Sequence, residues 1–377
     1  MKILQFGKFY YPVFGGMERA MYEITEGLNA RDIQCDVLCS NTRAVEEISK
    51  FDGYTVYRAA SYGLLNSTPI SPRLVTNLKK LSGKYDILHV HHPDPMAFLA
   101  LYLVRPSAKV IIHWQSDIVR QELMLKLFLP LQNWVLRRAD RIIVASDAYA
   151  QHSPYLAAYL DKVEVIPNGI SDEKLQANEE KVETIRERYK EKKIVLAFGR
   201  LVAYKGFRHL IDAAKFLGDD YQILIGGGGP EAEMLQEKID TLKLGNKVQL
   251  LGHIAEEEKY DYFQAASIFC LPSVTKAEAF GIVLLEAMAF GKPIVSSKIE
   301  SSGMVWVNQD QVTGLQVPPG SPVELAKAIK KITNDPELYQ TFSQNGRERY
   351  LELFTQEKML DSLQTLYTKL LDTKDNR

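Results

Sequence analysis

Short β-branched and apolar runs recur along almost the whole chain, and helical patterns separate most of them. That alternation constrains the fold more than any other feature. Strands and helices that take turns build parallel sheets with helices on both faces. In the first half the strand-like runs are 3–6, 33–39, 55–57, 86–91, 109–113, 141–145 and 163–166. In the second half they are 194–198, 222–225, 248–251, 268–271 and 293–296. The two series are interrupted by "IPNGISDEKLQANEEKVETIRERYKEKK", residues 166–193. Pro167, Asn168 and Gly169 mark a turn there, and the charged stretch after it has the small apolar face of a solvated helix. "IVLAFGR" then restarts the β pattern. The reading is α/β, with two doubly wound, Rossmann-like domains over residues 1–175 and 176–354. Ligand is expected at the carboxyl ends of the strands, in a crevice between the domains. The 377 residues suit two domains of about 100–200 residues each.

Charge and apolar length exclude several classes. A net charge of −1 argues against a general nucleic-acid binder. Residues 1–170 hold 19 Lys+Arg against 16 Asp+Glu, and the remainder 27 against 31. The basic excess thus falls in the half with the longest apolar stretches. One of these, "PMAFLALYLV", is about half of what a membrane-spanning helix needs. "MKILQFG" reads as a strand, not a leader. A soluble protein, or one peripheral to a membrane, is expected. Cys35, Cys39 and Cys270 lie in apolar runs and read as reduced core thiols.

Four segments carry candidate chemistry. In "FGKFYYPVFGGMERAM" a strand stops at Phe6, and Gly15 and Gly16 precede a helix expected from about Met17. Paired glycines let backbone approach a ligand, and helix-start amides favour anions. The spacing is not that of the dinucleotide fingerprint GxGxxG. In "FGRLVAYKGF", Arg200 and Lys205 follow a strand directly. Two cations there suit a diphosphate, or else pair with surface carboxylates. "ILIGGGGPEAE" supplies glycines 226–229 and then Pro230, a sharp strand-to-helix turn that removes side chains, at Gly228 among others. "SVTKAEAFGIVLLEAMAFG" sets Glu278 and Glu286 eight positions apart. A helix is expected from about 280 to 290, with Glu278 in the loop before it and Glu286 inside an almost wholly apolar run. A buried carboxylate needs strong donors. Sugar or ribose hydroxyls, a lysine or backbone amides would all serve. The amides of Phe280, Gly281 and Ile282 are placed to hold a phosphate or a sugar.

The histidines divide. His89, His91 and His92 in "HVHHPDP" do not read as metal ligands, because no cysteine or glutamate cluster nearby completes a site. His113 in "VIIHWQSD" ends a strand and is expected to face the crevice, with Asp117 four residues later. The chain has no Asp-x-Asp pair, so no metal or other cofactor is expected. In "MLKLFLPLQNWVLRRADR", Trp134 mixes with Lys126, Arg137 and Arg138. This reads as an amphipathic basic segment for anionic lipid or an acceptor, or as a core helix with a basic end.

Together these motifs resemble glycosyltransferase family 4, of the two-domain GT-B architecture, over nearly the whole chain. The resemblance rests on "GGMER", the strand-terminal His113, "VIPNGI", "FGRLVAYKG", "GGGGPE", "EAFGIVLLEAMAFGKPIV" and "TGLQVPPGSPVELAKAI". It implies that the C-terminal domain binds a nucleotide-sugar donor and the N-terminal domain takes the acceptor. A last helix near 355–371 would cross back onto the N-terminal domain. By the same resemblance Glu286 binds the donor ribose and Glu278 the hydroxyls of the transferred sugar. Arg200 and Lys205 neutralise the diphosphate. Gly16 lets the N-terminal loop touch those phosphates when the domains close. His113 sits by the donor sugar, Asn168 near the hinge, and the base near His253 and Ile254. The family retains anomeric configuration, and front-side attack is its usual proposal. That suits a chain with no obvious nucleophile paired with a base.

"GGGG" lacks the acidic residue that many relatives carry in that loop. "ESSGMVWVNQDQVTGL" resembles transferases of bacterial surface polysaccharide, many of them mannosyl or rhamnosyl transferases. The reading is therefore a retaining, metal-independent hexosyltransferase at the cytoplasmic membrane face. It extends a lipid-linked or polysaccharide acceptor, as in O-antigen and lipopolysaccharide synthesis, from a GDP-mannose-type donor. A UDP-sugar transferase, a nucleotide-sugar epimerase and a non-catalytic sugar-nucleotide-binding subunit are the rivals.

Overall fold

Every strand-like run becomes a strand in the computed structural model, with ends shifted by at most two residues. The structure describes residues 1–13, 15–65, 68–118 and 122–372, apart from the side chains of 122–127 and 174. The chain divides into two units. One is Met1–Gly169 with Gln356–Arg377, and the other is Ile170–Thr355. The boundary falls before 175 because Ile170 belongs to the second unit. Its N–H donates to the Phe354 carbonyl at 3.0 Å, and its own carbonyl accepts from the Tyr350 hydroxyl at 3.1 Å.

The first unit holds strands β1 (Lys2–Gly7), β2 (Gln34–Ser40), β3 (Glu47–Lys50), β4 (Thr55–Ala59), β5 (Leu64–Leu65), β6 (Thr68–Pro69), β7 (Ile87–His92), β8 (Lys109–Trp114), β9 (Arg141–Val144) and β10 (Val163–Val165). Eight of them form one sheet in the order β10-β9-β8-β7-β1-β2-β4-β3. Every pair is parallel except β3 with β4. The sequence reading missed β3, whose "EISK" has no apolar run because it is a half-exposed edge strand. The helix Gln356–Asp372 returns to this unit. Met359, Leu360, Leu363, Leu366, Tyr367 and Leu370 fall on one helical face and pack with Ile3, Ile24, Ile87 and Ile111. Burial contributes about 1.5–3 kcal/mol for each large apolar side chain, so this stripe anchors the helix firmly.

The second unit holds β11 (Lys193–Phe198), β12 (Tyr221–Gly226), β13 (Val248–Gly252), β14 (Ile268–Leu271), β15 (Ile294–Ser297) and β16 (Gly314–Val317). Their order is β13-β12-β11-β14-β15-β16, all parallel. This is the usual 3-2-1-4-5-6 order of a dinucleotide-binding fold. A core of Val195, Phe207, Leu210, Ile223, Val295 and Ile329, among others, fills one side of the sheet. Cys35, Cys39 and Cys270 are buried and unpaired with one another. Among the described residues no helix is long and apolar enough to cross a membrane.

Candidate active site

Strand order selects the place to look in the second unit. The crossover direction reverses between β11 and β14, where open α/β sheets leave a crevice at their carboxyl ends. The loops after these two strands meet there. The Val274 N–H donates to the Tyr204 carbonyl at 2.8 Å. Lys205 Nζ lies 2.5 Å from Glu278 Oε2, and Ser273 Oγ donates to the same oxygen at 3.0 Å. Lys205 and Glu278 are both buried. Burial works against the Lys205 charge, but the neighbouring Glu278 carboxylate holds its pKa above the ordinary lysine value. Arg200 stands exposed on the same loop, close enough to oppose the Lys205 charge, and makes no ion pair among the described residues.

Local structure holds the Glu278 loop from behind. Ser302 Oγ donates to the Glu278 carbonyl, and the Gly303 N–H to the Ala279 carbonyl at 2.7 Å. Phe280 packs against Trp306 and Phe354, with ring centroids 6.4 and 6.1 Å away. Gly281 then takes φ 79°, a left-handed conformation that glycine adopts at little cost. It caps the helix Ile282–Ala289, which starts two residues later than expected. The amides of its first turn, from Ile282 onward, are the ones a helix cannot satisfy internally.

Glu286 is buried in that helix, and its partner is a lysine. Lys259 Nζ lies 2.7 Å from Glu286 Oε1 and 2.8 Å from Glu256 Oε1. Burial lowers the Lys259 pKa, yet the two carboxylates raise it by more, so it stays charged. The sequence reading left the donor to Glu286 open and did not name Lys259. "EEEKYDYF" gave no signal, because its pairing spans 27 residues and depends on helix placement.

The glycine loop closes the other flank. Gly227 has φ 125°, and a Cβ there would lie 2.1 Å from the Gly199 carbonyl oxygen. The Leu201 N–H donates to the Gly228 carbonyl at 2.9 Å, and the Gly227 N–H to the Gly252 carbonyl at 2.8 Å. The ends of β11, β12 and β13 are thereby joined. Gly228 itself faces open space. His253, exposed, and Ile254, partly exposed, follow β13 at this edge.

In the first unit, β7 and β8 pair in parallel with His91 opposite His113. His89 lies on the same face, so three imidazoles gather with ligand atoms within 4.8 Å of one another. The sequence reading found no third ligand for this pair, because only the strand register supplies it. The ring nitrogens are largely spent on hydrogen bonds. His89 pairs with Tyr367 at 2.6 Å and His113 at 3.1 Å, and His91 with Gln5 at 2.7 Å and Gln115 at 3.1 Å. Among the described residues, His113 Nε2 is the one of the six without a partner. Burial pulls the His113 pKa down to about 4 and those of His89 and His91 well below the ordinary value, so the cluster is neutral. Asp117 does not join it. Its carboxylate accepts from Trp114 Nε1 at 3.0 Å and Ser153 Oγ at 2.7 Å.

Gly15 caps the helix Gly16–Ala30, and Gly16 has open space where a Cβ would stand. Asn168 is buried with its Oδ1 unpartnered. On the helix Glu122–Arg138, Trp134 is partly exposed beside Tyr102, and Arg137 is exposed. Arg138 is consumed internally by Asp140 and by the carbonyls of Pro106 and Ala108 at 2.8–3.0 Å. It is a structural residue. The side chain of Lys126 lies outside the described residues.

The chain is similar to known glycosyltransferases over both of its units. Glycosyltransferase Family 4 matches residues 14–174, and Glycosyl transferases group 1 matches residues 178–349. The chain is 33% identical over 376 residues to the O-antigen chain mannosyltransferase C of Escherichia coli, covering 99% of this chain and 100% of that one. It is 32% identical to the D-rhamnosyltransferase WbpZ of Pseudomonas aeruginosa, covering 94% and 92%. Sucrose-phosphate synthase from Thermosynechococcus elongatus shares the fold, with a TM-score of 0.81 at 22% identity over 99% of this chain and 100% of that one. So does Anabaena HepE solved with UDP, at 0.79 and 22% over 98% and 100%. The chain belongs to the glycosyltransferases of family 4, with the GT-B fold. Its relatives include an O-antigen mannosyltransferase and a D-rhamnosyltransferase.

Proposed function

We propose that the protein is a retaining, metal-independent hexosyltransferase. It moves a mannose-type sugar from a GDP-sugar to a lipid-linked or polysaccharide acceptor of a bacterial cell surface. The observation that carries this reading is the buried Lys205–Glu278 pair at the switch point of the second sheet. Lys205 and Arg200 neutralise the leaving diphosphate. Lys205 turns from Glu278 to the phosphates, and Glu278 then accepts hydrogen bonds from hydroxyls of the transferred sugar. The first amides of the helix Ile282–Ala289, with Phe280 and Gly281 before them, bind the sugar and diphosphate. Glu286 takes the ribose hydroxyls while Lys259 keeps its charge compensated. Gly16 and Gly228 leave room for the donor, Gly15 and Asn168 serve its binding beside them, and His253 and Ile254 bound the base. His113 addresses the transferred sugar. Catalysis is then charge stabilisation and positioning, with the leaving phosphate oxygen taking the acceptor's proton.

The mannosyl and rhamnosyl relatives that cover nearly the whole chain support the choice of sugar. A UDP-sugar donor is the second reading, favoured by the UDP bound to a neighbour of the same fold. Trp134 and Arg137, beside the exposed Leu99, Tyr102 and Leu103, suit a peripheral contact with an anionic membrane on the cytoplasmic side. A thermal-shift screen with GDP, UDP, ADP, TDP and their common sugars tests the donor. A ligand of the native state raises the melting temperature by mass action. A selective rise with GDP and GDP-mannose is expected. A selective rise with UDP-sugars installs the second reading, and no rise with any nucleotide removes the donor site.

A further inference from the structure

A line of three buried side chains ties His113 to the C-terminal helix. Tyr367 Oη lies 2.6 Å from His89 Nδ1, and His89 Nε2 lies 3.1 Å from His113 Nδ1. Tyr367 is 278 residues from His89 in sequence, and the helix Gln356–Asp372 brings it there. With neutral rings and one proton per hydrogen bond, only two arrangements exist. In the first, the tyrosine donates to His89 Nδ1, His89 Nε2–H donates to His113 Nδ1, and His113 carries its proton on Nε2. In the second, every donor is reversed, and the tyrosine proton must find another acceptor. Gln5 also reaches that hydroxyl, but its Oε1 is taken by His91 Nε2, so the group it turns to the tyrosine oxygen is its amide N–H, a donor and not an acceptor for the stranded proton. The second arrangement therefore strands a buried hydroxyl proton as well as a lone pair on His113, whereas the first leaves only the His113 Nε2–H open.

We infer that Tyr367 and His89 are positioning residues that lock His113 in the Nε2–H tautomer, so that it donates a hydrogen bond to an oxygen of the transferred sugar. His113 then acts neither as a base nor as a cation. The depressed pKa values of both histidines, caused by burial, agree with this neutral role. The inference rests on the reading of His113 as the sugar-facing residue.

The test labels the 7 histidines of the full chain with nitrogen-15 and assigns tautomers from long-range proton–nitrogen correlations. His113 is expected as Nε2–H in the native chain. A Nδ1–H form there overturns the inference, and this measurement needs neither a variant nor a substrate. Tyr367→Phe is expected to mix the tautomers and to lower kcat for GDP-mannose about tenfold, a loss on the scale of one hydrogen bond, with KM little changed. His89→Gln, which keeps an amide able to donate to His113, retains more turnover than His89→Leu. Unchanged tautomer and kcat in Tyr367→Phe overturn the relay while leaving His113 in its role if His113→Ala is impaired. Full turnover in His113→Ala instead removes the underlying reading of His113.

Discussion

In the second unit two buried ion pairs stand out, Lys205 with Glu278 and Lys259 with Glu286. In the first unit the buried polar cluster is one of neutral rings, His89, His91 and His113, joined to their neighbours by hydrogen bonds. The difference follows from what lies beside each group. A buried lysine keeps its charge when a carboxylate stands within hydrogen-bond distance, whereas imidazoles that face only one another and uncharged amide and hydroxyl groups lose theirs to desolvation. A buried ion pair gives little net stability, yet it can exchange a partner for a ligand of the same charge. A neutral line offers direction instead: it aims one N–H. The ionic cluster suits a charged leaving group, and the neutral cluster suits hydroxyls.

The comparison breaks most visibly at Lys205. Lys205→Met leaves Glu278 buried without its cation, and turnover is expected to fall by about 10²–10³. Glu278→Ala is expected to lower turnover more than nucleotide affinity. If the double variant recovers the melting temperature of the native chain but not its turnover, the pair serves chemistry and not folding. Recovered turnover would refute that division.

Next comes Glu286. Glu286→Ala leaves Lys259 with Glu256 as its remaining carboxylate and is expected to cost about 1.5–3 kcal/mol of stability, with weaker nucleotide binding. Normal binding by calorimetry would show that the ribose assignment is wrong. The pairing also has a pH signature. The Lys259 pKa is raised in the folded chain, so its contribution is complete below the unfolded lysine value and disappears as pH rises through the folded one.

Histidines of the first unit have the opposite signature. His92 is buried against Trp114, both of its ring nitrogens lack partners among the described residues, and burial lowers its pKa to about 3. Between pH 6.5 and about 3 the unfolded chain takes up a proton that the folded chain refuses, so stability falls as pH falls. His92→Phe removes this term. Its unfolding free energy from denaturant titration is expected to hold at pH 7 and to exceed that of the native chain at pH 4.5, by up to about 1.4 kcal/mol for each pH unit below 6.5. Equal free energies at both pH values would show that His92 titrates normally.

Arg137→Glu should have the smallest effect. Because Arg138 is tied to Asp140 and two carbonyls, Arg137 is the one to change. Binding to phosphatidylserine vesicles is expected to fall by at least about fivefold, since about 1 kcal/mol is lost with the basic residue and the added carboxylate repels the surface as well. Unaltered sedimentation with vesicles would return the helix Glu122–Arg138 to a purely packing role.

The alternation of apolar runs and helical patterns was enough to read two parallel α/β domains, because a strand buried on both faces must be apolar along its whole length. The turn at Pro167–Asn168–Gly169 and the glycines beside the crevice were legible for the same local reason: backbone conformation is written in a few residue types. Edge strands such as Glu47–Lys50 were not, since a half-exposed strand needs no apolar run. Glu278 and Glu286 stood out as carboxylates among apolar neighbours, but their lysines did not. Lys205 sits 73 residues before Glu278, and Lys259 27 residues before Glu286. Strand order decided the first pair, helix packing the second, and strand register together with the C-terminal helix assembled Tyr367, His89 and His113. Sequence determines which segments must be buried and where the chain can turn, because those preferences are local. Which donor meets which acceptor is decided by contacts between elements far apart in the chain, and those exist only once the tertiary structure has formed.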